Sequence, residues 1–187
     1  MKRFAAVMAL FVALLSSVSA SAAAPSLRHE LLSSKEVPGW SKYYIAASET
    51  TSCPESTFAK PTTRSAVREV FANRSSETLL LERLATSKAP RAAYNETLAK
   101  MTKCPKTAST VDGQVTFQRT RSVNLGHYAV PVRGFTVSFV LGGAHVTGVV
   151  AYATKGSDVL AFSEISLTTI NTHAYKKLLA EAITRMA

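Results

Sequence analysis

The stretch FTVSFVLGGAHVTGVVAY at 135–152 decides the fold of this chain. Two runs rich in Val, Phe and Tyr flank a Gly-Gly pair, and such glycines can adopt the positive φ angles of a tight hairpin turn. The pattern therefore predicts two antiparallel strands, one on each side of the glycines. A second turn signal, KGSD at 155–158, leads into an apolar run from Val159 to Leu167. This run predicts the last strand of the same sheet.

Helical patterns precede and follow this β-rich region. Ser87–Lys103 has Pro90 in its first turn and lysines near its end, where they face the negative end of the helix dipole. Thr169–Ala187 has apolar residues at helical spacing behind a capping residue, either Asn171 or Thr172. We therefore predict two main helices.

The rest of the chain has shorter β patterns. Ser41–Ala47 predicts a first strand, Arg64–Phe71 alternates in hydropathy, and another strand contains Val115 and Phe117 behind an Asp-Gly turn signal. Thr78–Thr86 fits a hairpin partner, although its leucines also allow a helix. We therefore expect an α+β fold: a curved, mainly antiparallel sheet of about six strands packed with two main helices, an α/β sandwich.

The start of the chain indicates export. Lys-Arg at 2–3 precedes the apolar run 4–15, and the small residues VSA follow at 18–20. A secretory signal peptide has this layout, with an apolar stretch of roughly 7–15 residues, fewer than the roughly 20 that a membrane-spanning helix needs. We expect residues 1–24 to be a signal peptide with a short flexible start, and 25–187 to be a single domain. The mature protein is then secreted and has no transmembrane span.

Cys53 and Cys104 are the two cysteines of the chain. Disulfides persist in the oxidising surroundings of an exported protein, so the pair predicts one disulfide. It would fasten the end of the helix at 87–103 to the loop after the first strand. The alternative is a reactive thiol, which needs a lowered pKa and usually a nearby base; neither cysteine lies in a catalytic motif.

Positive charge is concentrated in the middle of the chain. The formal net charge is +10, and residues 60–121 hold twelve Lys and Arg against five Asp and Glu. Such a surface favours anionic partners, for example an anionic envelope polymer or a lipid surface, without specificity for a nucleic acid. The alternative is a dispersed charge that keeps a secreted protein soluble, since Lys and Arg form no long run.

Residue types that converge in catalytic sites are scarce. Asp112 and Asp158 are the two aspartates, both in predicted turns, and the familiar serine-elbow, phosphate-loop and zinc-helix motifs are missing from the sequence. His127 and His145 would form a metal site with Glu164 only if the fold brought all three together. Histidines at such positions more often fill half-exposed strand sites, and strand glutamates are usually solvated partners of Lys or Arg. We therefore predict no catalytic residue, no metal and no cofactor.

Four residues are candidates for ligand binding. Trp40 and Tyr44 lie beside a turn, where aromatic rings with polar tips can line a pocket; core packing is the alternative. Arg119 and Arg121 can clamp a carboxylate or phosphate through forked hydrogen bonds, or can simply face solvent.

A combination of short motifs resembles a known family. Leu31-Leu32 is followed by VPGW at 37–40, then by Cys53, a helix ending at Cys104, a β-rich half with a tight hairpin, and a closing helix. This pattern resembles the PknH-like extracellular sensor domain of actinobacterial proteins, found on serine/threonine kinases and as free lipoproteins. The chain departs from that family in having one cysteine pair where kinase-linked members tend to have more. It also lacks a kinase domain, a membrane span and a lipid-attachment cysteine.

The resemblance implies a sheet-and-helix domain with a ligand-binding cleft and no enzymatic activity of its own. We therefore expect a secreted, non-enzymatic, sensor-like domain that binds an unknown small molecule or a cell-envelope ligand in a cleft beside the sheet. The first alternative is a basic protein that associates with the cell wall or another anionic surface. The second alternative is a secreted hydrolase.

Overall fold

The computed structural model describes residues 25–43, 63–103, 106–111, 114–141 and 144–187. The expected leader, Tyr44 and both cysteines lie outside these ranges. The signal peptide and the Cys53–Cys104 disulfide therefore stay predictions, as does most of the first predicted strand.

The described residues form one sheet with helices packed on it. In chain order the elements are α1 (Pro25–Arg28), β1 (Ser41–Lys42), β2 (Thr63–Asn73), β3 (Thr78–Ser87), α2 (Pro90–Lys103), β4 (Lys106–Val111), β5 (Gln114–Val123), β6 (Val132–Leu141), β7 (Ala144–Lys155), β8 (Asp158–Ser166) and α3 (Thr172–Arg185). The strand order is β1-β2-β3-β8-β7-β6-β5-β4, and every neighbouring pair is antiparallel. The expected α+β class is confirmed.

The strand number differs slightly from the expected six. In the described part of the chain, seven strands have six or more residues, and the two-residue β1 extends one edge. The sequence did not predict β4, whose residues KTASTV hold few apolar side chains. Among the described strands β4 lies at the edge and pairs with β5, and a polar strand is tolerated there because no further described strand pairs with its outer side.

The central strands pair in chain order as antiparallel neighbours, as the sequence predicted. Leu141 of β6 pairs with Ala144 of β7, and Lys155 of β7 pairs with Asp158 of β8. In the turn between β7 and β8, Gly156 has a φ of +54°, a value that favours glycine. The predicted Gly-Gly turn at 142–143 lies outside the described residues.

Each face of the sheet has its own apolar core. We call the two sides the α3 face and the α2 face, after the main helix that covers each. The α3 face is also covered by the N-terminal segment 25–40, and its buried residues include Leu32, Phe71, Leu80, Leu84, Ala151, Leu160, Phe162, Tyr175, Leu179 and Ala182. The α2 face buries Ala85, Tyr94, Met101, Phe135, Val137, Val150, Tyr152 and Val159. Successive side chains of β3, β6, β7 and β8 alternate between these two cores.

Helix α3 is held at both ends. Asn171 is its N-cap, because the Asn171 side-chain oxygen accepts a hydrogen bond from the Ala174 amide at 3.1 Å. Near the other end, Arg185 donates to the His29 carbonyl and forms an ion pair with Glu36. These contacts fasten the N-terminal segment to α3, so the two cover the sheet together.

Candidate functional site

The α3 face changes from apolar to polar along its strands. Strand register defines rows of side chains that cross this face. One row is wholly apolar and consists of Val67, Leu84, Leu160, Ala153 and Val132. Six residues further along β8, the corresponding row is wholly polar and consists of Asn73, Thr78, Ser166, Thr147, Ser138 and Arg119. The α3 face therefore has one end suited to a core and one end suited to polar partners.

The polar end is partly open to solvent. We define the polar floor as Arg121, Thr136, Ser138, Thr147 and Glu164. Arg121, Ser138 and Thr147 are exposed, Thr136 is half-buried, and Glu164 is buried. Arg121, Thr136, Val149 and Glu164 lie in one register row, on β5, β6, β7 and β8 in turn. The polar floor thus runs from an exposed cation to a buried carboxyl group.

Glu164 is a buried residue whose carboxyl group has no partner within the described residues. Its exposed fraction is 5%, and its carboxyl oxygens are not among the fully buried polar atoms that lack a hydrogen bond, so they keep some contact with solvent. Its register neighbours are Val149 on β7 and Leu80 on β3. Burial raises the pKa of Glu164 to about 7. Because this carboxyl group has no partner within the described residues and still reaches solvent, a donor on a ligand can bind it.

Glu82 is a second buried carboxyl group on the α3 face. It lies opposite Phe162, diagonal to Glu164, and is 1% exposed. Unlike Glu164 it has a partner, since the Leu32 amide donates to Glu82 Oε2 at 2.7 Å. Burial raises the pKa of Glu82 to about 7, and the Leu32 hydrogen bond opposes that rise. Glu82 therefore fastens the N-terminal segment to the sheet.

The expectation that strand glutamates pair with Lys or Arg in solvent holds for Glu69, which contacts Lys42 with an N···O distance of 2.8 Å. It is wrong for Glu82 and Glu164. The missed signal is the strand period of two: Leu80, Glu82 and Leu84 share a face, as do Leu160, Phe162 and Glu164. A glutamate two residues from large apolar residues in a strand shares their face of the sheet, and its side chain is therefore buried with them.

Tyr175 lies near Glu164, and Tyr128 lies near Tyr175. The Tyr175 hydroxyl donates to the Phe162 carbonyl at 2.8 Å. Burial raises the pKa of Tyr175 well above its usual value, and the charge of Glu164 and the nearby Tyr128 add to the rise. Tyr128, in the loop after β5, is half-buried and packs against the α3-face core. The carboxyl group thus has the Tyr175 ring nearby, and Thr147 of the polar floor occupies the diagonal register position on β7.

Three of the four residues predicted to bind a ligand lie within the described residues, and they lie in two places. Arg121 is on the polar floor, and Arg119 occupies the register position opposite Ser138 in the wholly polar row. Trp40 is half-buried and packs against the α3-face core just before β1, while Tyr44 lies outside the described residues. Four strands separate β2 from β5 in the sheet, so the structure places Trp40 and the arginines toward opposite edges.

The residues considered for metal binding or hydrolysis do not converge. His127 and His145 are exposed, whereas Glu164 is buried. Within the described ranges, no three or more His, Cys, Asp or Glu side chains are placed to hold a metal ion together. Asp158 is buried at the start of β8, where its carboxylate accepts a hydrogen bond from the Ala187 amide at 3.0 Å. It therefore stabilises the end of the chain.

Comparison with known proteins supports the fold. No protein-family model matches the chain, and no curated protein matches it. The crystal structure of the extracellular domain of PknH from Mycobacterium tuberculosis matches with a TM-score of 0.53 and 9% sequence identity, over 68% of this chain and 69% of that chain. The protein therefore shares the fold of that extracellular domain over the matched part of the chain. Among the described residues, no helix has both the length and the apolar character needed to span a membrane.

Proposed function

We propose that this protein is a secreted, non-enzymatic, sensor-like domain that binds a small polar or envelope-derived ligand on its polar floor. Glu164 carries the proposal. Its side chain is largely buried and forms no hydrogen bond within the described residues, so a ligand that donates to it would add a charge-assisted hydrogen bond at a site with little water. Binding would thus stabilise the folded protein through an interaction that the described residues do not make.

The arrangement of charge supports binding over catalysis. Hydrolysis by side chains needs a base, a nucleophile or a metal within hydrogen-bond reach of one another. Glu164 instead has apolar neighbours in its row and aromatic groups beside it. The likeness of the fold to an extracellular domain is consistent with a protein that recognises a molecule outside the cell.

Thermal unfolding in the presence of candidate ligands tests the proposal. The panel contains wall fragments, short peptides, sugars, sugar acids and lipid headgroups. We expect one class to raise the melting temperature of the wild-type protein, with the increase lost in Arg121→Gln and Glu164→Gln. Arg133→Gln is the matched control, because Arg133 is exposed on the next strand but lies opposite Tyr152, on the α2 face. A panel without any response, or a response that both variants retain, would contradict the proposal.

A second candidate function is charge-driven association with an anionic surface. The observation that favours it is the number of exposed cations in the basic middle of the chain: Arg74, Lys88, Arg91 and Arg121. Washing intact cells with increasing salt separates the two functions. Retention by surface charge should collapse between about 0.1 and 1 M salt, whereas binding at a partly buried site should persist.

A further inference from the structure

The polar floor has opposite charges at its two ends. Arg121 and Glu164 lie in the same register row with Thr136 and Val149 between them. Three strand spacings separate them, about 14 Å at a spacing of about 4.8 Å. Within the described residues, neither side chain forms an ion pair. A ligand that contacts both must therefore carry an anionic group and a cationic group some distance apart.

The hydroxyl groups between these ends favour a ligand with N–H donors. Thr136 Oγ1 donates to the Arg121 carbonyl at 3.4 Å, and Thr147 Oγ1 donates to the Thr168 carbonyl at 3.1 Å. Each hydroxyl has used its single proton, so its oxygen is left as an acceptor toward the ligand. Ser138 is exposed and can either donate or accept. Peptide N–H groups match this set of acceptors.

The surroundings of Glu164 favour a primary ammonium group. Its exposed fraction of 5% leaves only narrow access, and a primary ammonium is the most compact cationic group that a peptide offers. Ammonium supplies three donors to a carboxylate in charge-assisted hydrogen bonds, and Tyr175 lies close to the carboxylate of Glu164. A second anionic group at this position would be repelled.

We propose that the polar floor binds a short peptide with free termini, whose ammonium group contacts Glu164 and whose carboxylate contacts Arg121. The inference rests on the proposed function and specifies the ligand class. An extended peptide advances about 3.4 Å per residue, so about four residues match the separation of the two charged groups.

Isothermal titration calorimetry of the full secreted protein with alanine peptides of two to five residues tests this inference. We expect peptides with free termini to bind. N-acetylation and C-amidation should each weaken binding by about tenfold or more, since each removes a charged hydrogen-bonding group. N-acetylation of the peptide should not weaken its binding to the Glu164→Gln variant any further. C-amidation should not weaken its binding to the Arg121→Gln variant any further.

Matched controls separate site effects from folding effects. Arg133→Gln changes an exposed arginine on the α2 face, and Glu82→Gln changes an equally buried carboxyl group under the N-terminal segment; both should bind like the wild type. Equal binding of free and blocked peptides would overturn the inference. If no alanine peptide binds but another ligand class does so through Arg121 and Glu164, the inference fails while the proposed function stands. If no ligand class binds, both fail.

Discussion

At the scale of single residues, Glu82 and Glu164 differ in one hydrogen bond. That bond lets Glu82 hold the N-terminal segment, whereas the carboxyl group of Glu164 is left for a ligand in our proposal. Both are buried on the α3 face, and burial raises the pKa of each to about 7. Glu82 accepts the Leu32 amide, whereas Glu164 has no partner in the described part of the chain. Sequence alone makes the two residues equivalent, since each follows large apolar residues in strand phase. Only strand register and the packing of segment 25–40 distinguish them.

Stability should depend on pH through these two residues. A carboxyl group normally has a pKa near 4.5, so between about pH 4.5 and 7 the folded state holds protons that the unfolded state has released. The free energy of unfolding should therefore fall as pH rises through this window, by at most about 1.4 kcal/mol per pH unit for each group, and level off above it. Glu30, whose pKa is raised mainly by burial, acts in the same direction.

Urea unfolding between pH 5 and pH 8 measures this dependence. Glu164→Gln and Glu82→Gln should each flatten the profile. Glu69→Gln is the control, because Glu69 is on the same face but pairs with Lys42 near solvent, and it should leave the slope unchanged. A wild-type profile that is flat, or that rises with pH in this window, would contradict the assignment of both carboxyl groups as buried.

Glu82→Ala should release the N-terminal segment at its middle. The substitution leaves the buried Leu32 amide without its acceptor, and at pH 5 we expect the free energy of unfolding to fall by about 1–3 kcal/mol. Hydrogen exchange of the Leu32 amide measures the local effect directly and should accelerate more than exchange in β7 or β8. Unchanged protection of Leu32 would show that Glu82 does not hold this segment.

At the scale of secondary-structure elements, patterns with strong local signals could be predicted and contacts between distant residues could not. The hairpin at 135–152 and helix α3 follow from paired glycines and from apolar residues at helical spacing. Strand β4 has no such signal, because a strand at the edge of the described sheet does not need an alternating apolar pattern. The polar floor depends on the register of four strands, of which β5 and β8 lie more than thirty residues apart in the chain. Arg121 was predicted to bind a ligand, whereas its row partner Glu164 was considered only for a metal site or hydrolysis.

The loop between β5 and β6 should be sensitive to Gly134. A Cβ atom at this position would lie 2.5 Å from Cγ of Leu125, which packs on the α3 face. Gly134→Ala should lower the free energy of unfolding by about 1–3 kcal/mol through overpacking. Because this loop also carries Tyr128, the variant should bind ligand more weakly, as measured by calorimetry on the folded protein.

Gly148→Ala is the matched comparison for the loop variant. Its Cβ would meet Val137 at 2.6 Å and Ile165 at 2.9 Å, so it strains the sheet without touching the loop. It should lose stability and keep its ligand affinity. Equal affinity losses in the two variants would mean that the loop has no specific role in binding.

At the scale of the whole molecule, the uneven cover of the α3 face creates the site. Helix α3 and the N-terminal segment are fastened together by Arg185, and they cover the apolar rows of the sheet. Their cover ends before the polar rows, where Ser138 and Thr147 are exposed. The same sheet thus provides a core at one end and a binding surface at the other.

We expect the two cysteines to form a disulfide in the exported protein. We predict that protein purified from culture medium begins after the leader and contains one Cys53–Cys104 disulfide, seen by intact mass and peptide mapping. Reduction should lower the free energy of unfolding by about 2–4 kcal/mol, since it releases a constraint on the unfolded chain. Secreted protein with both thiols free, or an uncleaved protein kept inside the cell, would contradict the predicted location.

The ionisation of Glu164, followed by the ¹³C resonance of its side-chain carboxyl group, tests the central claim most directly. In the free protein this resonance should titrate with a pKa of about 7, because burial raises the pKa of the group. A ligand that donates to the carboxylate should lower that pKa and shift the resonance at neutral pH, while the resonance of Glu82 stays in place. If Glu164 titrates near 4.5 in the free protein and does not respond to any ligand that stabilises the fold, the polar floor is not the binding site.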